Sequence, residues 1–572
     1  MMPMKLVARA AGAALCLGAL PVRSADAPTA TFRAFTYEGR EALAPCDAAT
    51  EFRNPVIGGM SPDPAVTRKG DWFYLAQSSF AYWPGIPVWR SRDLVDWSFV
   101  GYAIDRPSQA SFRPGVGLSR GVFAPDIKYN PYNDTFYLLV TLVDAGGNVL
   151  FKTKDPAAGW SEPIPLGFGG IDPGIYFEDA ETAYIVNNDD APGNRPEYPG
   201  HRTIRCRPYD LVHDVCQNGR ETILVNKGIR PEEKPIWCEG PHLYKIDGRY
   251  YLMTAEGGTA DGHCEVIWTG LGPTGPFTPC RVNPILTQRD LPPGRPDPVV
   301  AAGHADLVET PDGEWFAVFL GIQPYRARGR KFANTGRSTF LLPVTWTGAG
   351  ADRQPVILPA GREIPRVLPK TPFQRRAAAA GTVGRPVTGN IVCRDDFTTP
   401  ELDPLWIQVR TPTETWARTG DGLRLAARVE DLGGTGNPSY LCRWVKNMSW
   451  TAEVTVDFAP QGARDFAGLA CYQNERHFYA VGVAQGADGR RAVRVRKVDG
   501  ETDVTVGEAA PDAAGPVRVR IDADAGVVRF AFAAAGGAWW PVAGVEDATI
   551  LSTDHAGGFV GATVGCFATA AR

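Results

Sequence analysis

Along most of the chain apolar residues alternate with polar ones over short runs that stop at Gly, Pro, Asn or Asp. A period of two, punctuated this way, predicts short β-strands joined by tight turns. One unit recurs: a turn-type pair followed by an aromatic strand, as DWFYLAQ at 71, DTFYLLV at 134, ETAYIVN at 181, GRYYLMT at 248 and GEWFAVF at 313. Upstream of each copy a single polar residue interrupts an apolar stretch: Asp63, Asp126, Asp172, Glu239 and His304. They precede the matched aromatic by 11, 11, 12, 12 and 12 residues. Five such units predict a five-bladed β-propeller, in which the segment before each hairpin is the innermost strand of a blade. The five polar side chains would then converge at one mouth of the central channel.

A weaker outer-strand repeat, SRDLVDWSFVG, TKDPAAGWSEPI and TGLGPTGPFTPC, supports blades over residues 50–348. Beyond TFLLPVTW, residues 349–391 are rich in Pro, Arg and Ala and read as an extended linker laid over the surface. From 392 to 572 short alternating strands resume without the fivefold spacing, as in TAEVTVDF, FYAVGV and VRVRIDA. That pattern predicts a second domain, a two-sheet β-sandwich. The fold class is all-β, and 63 Gly, 49 Pro and 10% aromatics agree with it.

A formal charge of −4 and a pI near 6.1 give no long-range attraction to nucleic acid or to anionic membranes. The partner is therefore expected to be neutral or small. Lys5 and Arg9 precede the apolar run AAGAALCLGALPV, with small residues around Ser24 to Ala27. This is the layout of a cleaved secretory signal over residues 1–27, too short to span a bilayer, and it implies a secreted or periplasmic protein. Ten cysteines remain without Cys16, an even number compatible with an oxidising compartment. Cys206 and Cys216 close a short loop and form the preferred disulfide, while Cys393, Cys442, Cys471 and Cys566 suit buried thiols equally well. With no CxxC pair and no His-x-x-x-His, no structural zinc site is expected and no metal ligand is assigned.

The acids carry the chemistry. Two carboxyl groups reaching one site from different blades are the minimum apparatus for glycoside hydrolysis, one donating a proton and the other activating water or attacking. A third nearby raises the proton affinity of the donor by like-charge repulsion. Asp63 sits between two prolines, where an acid alone would read as a strand-end cap; its fivefold register favours catalysis. Asp126, in PDIKY, stays open between the site and a strand-start residue that bonds backbone amides.

In order along the chain, NPVIGGMSPDPAV, SSFAYWPGIPVWRSRDLVDW, GVFAPDIKY, GGIDPGIYFED, CEGPHLYKIDGRYYLMTAEGG, GHADLVE and TGRSTFLLPV resemble glycoside hydrolase family 43, above all its β-xylosidase and α-L-arabinofuranosidase members. The likeness runs from about 52 to 346. The tail, through AGLACYQNERHFYAVGV, resembles the concanavalin A-like sandwich that often follows in those enzymes. The resemblance implies inversion at the anomeric carbon, with Asp63 as general base, Glu239 as general acid and Asp172 tuning and holding the acid. It further implies that Arg337 reaches sugar hydroxyls and the base, that His304 lies in the channel, and that Phe80 and Trp83 wall the pocket. Thr259 is a weaker hydroxyl contact. Phe123 stands where many xylosidase-like members have Trp, which leaves xylose and arabinose both open. No cofactor is required, although His304 could hold either water or Ca²⁺ on the axis. The implied substrate is a xylo- or arabino-oligosaccharide. A carbohydrate-binding propeller without turnover and an endo-arabinanase are the alternatives.

Overall fold

The computed structural model describes residues 28–379, 384–511, 515–534 and 536–571, so the expected leader at 1–27 lies outside the described residues. Among the described residues no helix is long and apolar enough to cross a membrane. Five small antiparallel sheets form the propeller, with inner strands Ala65–Lys69, Gly121–Asn130, Ile171–Phe177, Glu239–Ile246 and Val300–Glu309. Each pairs with the aromatic strand that follows it in sequence: Trp72–Ala76, Thr135–Val143, Thr182–Asp190, Arg249–Glu256 and Trp315–Ile322. The fivefold register read from the sequence is thus the blade repeat itself. Apolar side chains such as Phe73, Leu75, Met253, Phe316 and Phe319 fill the space between and beneath the blades.

A polar cluster ties the inner strands together along the axis. Asp306 Oδ2 accepts from Val66 N at 2.7 Å and from Lys128 Nζ at 2.6 Å, and its Oδ1 accepts from the Tyr244 hydroxyl at 2.7 Å. Asp126 Oδ2 accepts from Ile175 N at 2.8 Å. Every blade contributes a group. The ring closes where Asn54 docks on the last blade, donating from Nδ2 to Leu341 O and accepting from Leu341 N, both at 2.9 Å. Backbone bonds between Ile57 and Thr339 extend this closure.

The linker is bonded down along its length. Gln354–Val356 pairs with Thr345–Thr347, Val367–Pro369 with Glu51–Arg53, and the helix Pro372–Ala379 sets Phe373 edge-on to Phe73 at 6.0 Å. The sandwich recruits strands from outside 392–572. Thr29–Gly39 enters one of its sheets between Leu423–Ala426 and Ser449–Asp457. Tyr82–Trp83, from the first blade, extends the edge of the other sheet by pairing with Ile407–Val409. One apolar cluster therefore runs across the boundary, joining Met60, Phe80, Tyr82 and Tyr102 to Tyr440, Tyr472 and Phe567.

The Cys206–Cys216 disulfide expected from spacing is not formed; the ten cysteines among the described residues are free thiols. Strand register is the reason. Cys216 lies opposite Tyr209, three residues along from Cys206, while Cys206 faces Val186 and Thr222. Three residues of extended chain separate the two by about 10 Å, beyond the reach of a disulfide.

Asn54→Ala removes both side-chain bonds to Leu341 and leaves that buried N–H and C=O unpaired, a loss of about 2–4 kcal/mol. The variant is expected to melt several degrees below the parent by circular dichroism. An unchanged melting temperature would contradict this account of ring closure.

Candidate active site

The pocket-facing ends of the inner strands are bulged. Register shifts fall between Ile171 and Gly174, between Glu239 and His242, and between Val300 and Gly303. Asp63, Asp172 and His304 adopt left-handed φ of 50°, 54° and 52°, and Gly240, next to Glu239, has 56°. Left-handed backbone is costly for residues other than Gly, though Asp and His are among those that enter it most readily, and a bulge of this kind re-aims a side chain out of the ladder. Asp63, clamped between Pro62 and Pro64, lies two residues before the strand that starts at Ala65 and is turned into the pocket. Gly240 is required for a second reason, because a Cβ there would stand 2.9 Å from the His304 ring.

Asp63, Asp172, Glu239, His304 and Arg337 line one pocket of ≈ 710 Å³ together with Phe80, Phe123 and Thr259. The three acids are only 5%, 7% and 8% exposed. Arg337 Nη1 donates to Asp63 Oδ1 at 2.6 Å, and the Ser78 hydroxyl donates to Oδ2. Asp172 Oδ2 accepts from Gly240 N at 3.1 Å, which couples it to the backbone beside Glu239.

Two expected placements are corrected. Trp83 does not line the pocket. It is buried in the first blade's core, edge-on to Phe112 at 6.5 Å, with its backbone committed to the sandwich edge. The wall is instead Phe80, Phe123 and Phe559. Phe80 stacks on Phe559 at 6.0 Å with planes 16° apart, and Phe123 meets both rings edge-on. Asp126 lies one layer deeper than the other acids, in the axial cluster. The hairpin of its blade is longer: seven residues separate Thr67 from its partner Tyr74, but nine separate Lys128 from Tyr137. Equal sequence spacing therefore leaves Asp126 two residues further down its strand, bonding the Ile175 amide.

Arg202, Trp237 and Phe559 also line the pocket and were not among the expected residues. Arg202 comes from the third strand of its blade, Arg202–Asp210, and Phe559 from the sandwich, so the inner-strand repeat carries no signal for either. Phe559 is delivered by a segment seated on the propeller, with Phe559 N donating to Ser119 Oγ at 2.9 Å and Ala562 N to Asn334 O at 2.7 Å.

Among the described residues, no cluster of three His, Cys, Asp or Glu ligand atoms includes His304. The deeper trio Asp126, His242 and Asp306 does converge. Lys128 Nζ already supplies positive charge there, 3.3 Å from Asp126 Oδ1 and 2.6 Å from Asp306 Oδ2.

Burial works against charge on all of these groups. For Glu239, burial first, then Asp172 and Asp63, push the carboxyl well above its ordinary range, with Arg337 and Arg202 pulling the other way. Burial and then repulsion from Asp63 raise Asp172 to about 7, offset partly by the Gly240 amide. Burial likewise lowers His304, leaving its imidazole neutral. Burial alone would raise Asp306, but His242 and Lys128 outweigh it and hold that carboxyl below its usual value. One acid that keeps its proton and another held against a guanidinium, in a pocket with an aromatic wall, can protonate a leaving oxygen and activate water.

A five-bladed propeller whose mouth gathers buried carboxyl groups defines a glycoside hydrolase class of site. Residues 52–351 match the family model "Glycosyl hydrolases family 43", and residues 394–572 match "Beta xylosidase C-terminal Concanavalin A-like domain". The chain is 33% identical over 530 residues to the non-reducing end alpha-L-arabinofuranosidase BoGH43B of Bacteroides ovatus, covering 91% of this chain and 92% of that one. It is 34% identical over 534 residues to a xylosidase/arabinosidase of Butyrivibrio fibrisolvens, covering 90% and 95%. A crystal structure of a GH43_12 retrieved from capybara gut metagenome matches with TM-score 0.85 and 37% identity, over 95% of this chain and 100% of that one. The chain belongs to glycosyl hydrolase family 43 and is a glycoside hydrolase with a concanavalin A-like C-terminal domain.

The pKa pattern sets a sign. Above pH 7 Asp172 is charged and its repulsion helps keep Glu239 protonated, so activity should persist until pH climbs through the raised Glu239 pKa. Asp172→Asn removes that repulsion while keeping an oxygen for the Gly240 amide. The basic limb of the kcat profile is expected to move to lower pH; a limb that stays in place would remove Asp172 from the tuning role.

Proposed function

We propose that the enzyme is an exo-acting, inverting hydrolase that removes terminal pentose, β-1,4-linked xylose or α-L-arabinofuranose, from xylan or arabinoxylan fragments. The observation that carries this reading is a pocket that joins Asp63, Asp172 and Glu239 and meets an aromatic wall built from both domains. Asp63, oriented by Arg337 and Ser78, takes a proton from the attacking water. Glu239 delivers its proton to the glycosidic oxygen, and Asp172 maintains the proton affinity of Glu239 and holds the adjacent backbone. Inversion needs the base and acid on opposite sides of the sugar with room for water between them.

Support for terminal cleavage comes from Phe559, which the sandwich places against Phe80 at the pocket. An endo-acting enzyme needs a groove that runs past the acids on both sides. Apolar sugar faces suit the Phe80, Phe123 and Phe559 surfaces. The relatives' names, an arabinofuranosidase and a xylosidase/arabinosidase, support a pentose in this position. The leader layout at 1–27 supports a secreted or periplasmic location, which suits a substrate of plant-wall origin.

Rates on p-nitrophenyl β-xyloside and α-L-arabinofuranoside, measured side by side with the anomer of the first product followed by NMR, test the reading. Hydrolysis of at least one with the inverted anomer formed first is expected. Binding of free pentose without cleavage of either would favour a lectin-like propeller. Within the same assay Glu239→Gln should lose about 10²-fold or more in kcat on an unactivated disaccharide and much less on a glycoside of an acidic phenol, which leaves without a proton. Equal losses on both would contradict the acid role.

A further inference from the structure

Three donors from distant parts of the sequence meet on the surface of the sandwich, away from the catalytic pocket. His477 and Asp499 stand opposite one another on the antiparallel strands His477–Gln485 and Arg491–Asp499. His555 arrives from the short helix Thr553–Ala556. Both imidazole Nε2 atoms approach the same carboxylate oxygen, Asp499 Oδ1, at 2.9 Å from His555 and 3.7 Å from His477. One ligand atom from each residue lies within 4.8 Å of the other two. The rings are 5.3 Å apart with planes at 81°, so the two nitrogens reach the shared space from different directions.

A tetrahedral zinc ion with bonds of about 2.0–2.1 Å places neighbouring ligand atoms about 3.3 Å apart. The two measured gaps bracket that spacing. A second layer of contacts favours metal binding over a simple ion pair. His477 Nδ1 lies 2.9 Å from Asn474 Oδ1, and that oxygen is oriented by the Arg476 amide, also at 2.9 Å. An acceptor at Nδ1 places the proton of a neutral ring there and leaves the Nε2 lone pair facing Asp499 Oδ1, an arrangement that a cation bound between them would satisfy. The side chains of Asp499 and His555 are 30% and 35% exposed, so an ion has an entry path and a water can complete its shell.

We propose that His477, Asp499 and His555 form a transition-metal site, with Zn²⁺ the ion that best fits two imidazoles, one carboxylate and an open fourth position. Hard cations such as Ca²⁺ and Mg²⁺ prefer all-oxygen shells, and the donor set disfavours them. The site would fasten the Thr553–Ala556 helix to the sheet. Phe559 follows His555 by four residues, through Gly557 and Gly558, so the metal would anchor the root of the segment that carries Phe559 to the pocket. The absence of a local zinc motif is explained by assembly from three separate stretches, the arrangement that spacing rules cannot detect.

The test uses the full-length protein, stripped with a chelator and dialysed against buffered Zn²⁺, with bound zinc counted by mass spectrometry and stability read by thermal melting. One zinc per chain and a rise in melting temperature on the order of 2–4 °C are expected. Both should vanish in the double variant His477→Ala/His555→Ala. The single variant His555→Ala, at an exposed position, should bind zinc about tenfold or more weakly while melting like the stripped parent, which guards against a fold defect in the double variant. Failure of the parent to bind zinc at micromolar free metal would overturn the assignment, as would one zinc per chain retained by either variant with parental affinity.

Discussion

Three buried carboxyl groups lining one crevice are electrostatically unfavourable, and the arrangement of the pocket follows from how that cost is met. A buried charge without a partner is expensive enough that a group usually changes its protonation state or acquires a counter-charge. Both responses occur here. Asp63 has the Arg337 guanidinium and the Ser78 hydroxyl. Glu239, pushed up by burial and by its two acidic neighbours, keeps its proton, and Asp172 lies between these extremes. Environment thus assigns different tasks to chemically similar side chains, and an acid and a base coexist near neutral pH.

Holding the groups in one pocket depends on a rigid ring. The left-handed residues that aim Asp63, Asp172 and His304 inward are tolerable because the strands below them are locked by the axial cluster around Asp306 and Lys128. The sandwich belongs to the same construction. It receives Tyr82–Trp83 as an edge strand, shares an apolar core with the first blade and returns Phe559 to the pocket. Pocket shape is consequently a property of both domains together.

Much of this was legible in the sequence because a propeller repeats. Hairpin spacing exposed the blades and the polar register identified Asp63, Asp172, Glu239 and His304. The misplacements have physical causes. Spacing measures chain length between two points, so a hairpin two residues longer moved Asp126 a layer deeper without changing the count. An aromatic cluster looks alike whether it walls a pocket or packs a core, and the backbone pairing of Trp83 decided for the core. Cysteines close in sequence can still be held apart by an extended strand, as Cys206 and Cys216 are. Contacts made across domains were the least legible: the addition of Thr29–Gly39 to the sandwich, and the arrival of Phe559, arise from tertiary packing alone.

If the acids share one crevice as described, the Glu239 carboxyl should be protonated under conditions where an ordinary glutamate is ionised. Carbon-13 NMR of side-chain carboxyl groups across a pH titration, with the Glu239 resonance identified by its loss in a Glu239→Gln variant, reads this directly. The raised proton affinity requires that resonance to titrate well above the usual glutamate range. A Glu239 resonance that titrates in the usual glutamate range near pH 4–5 would contradict the central claim.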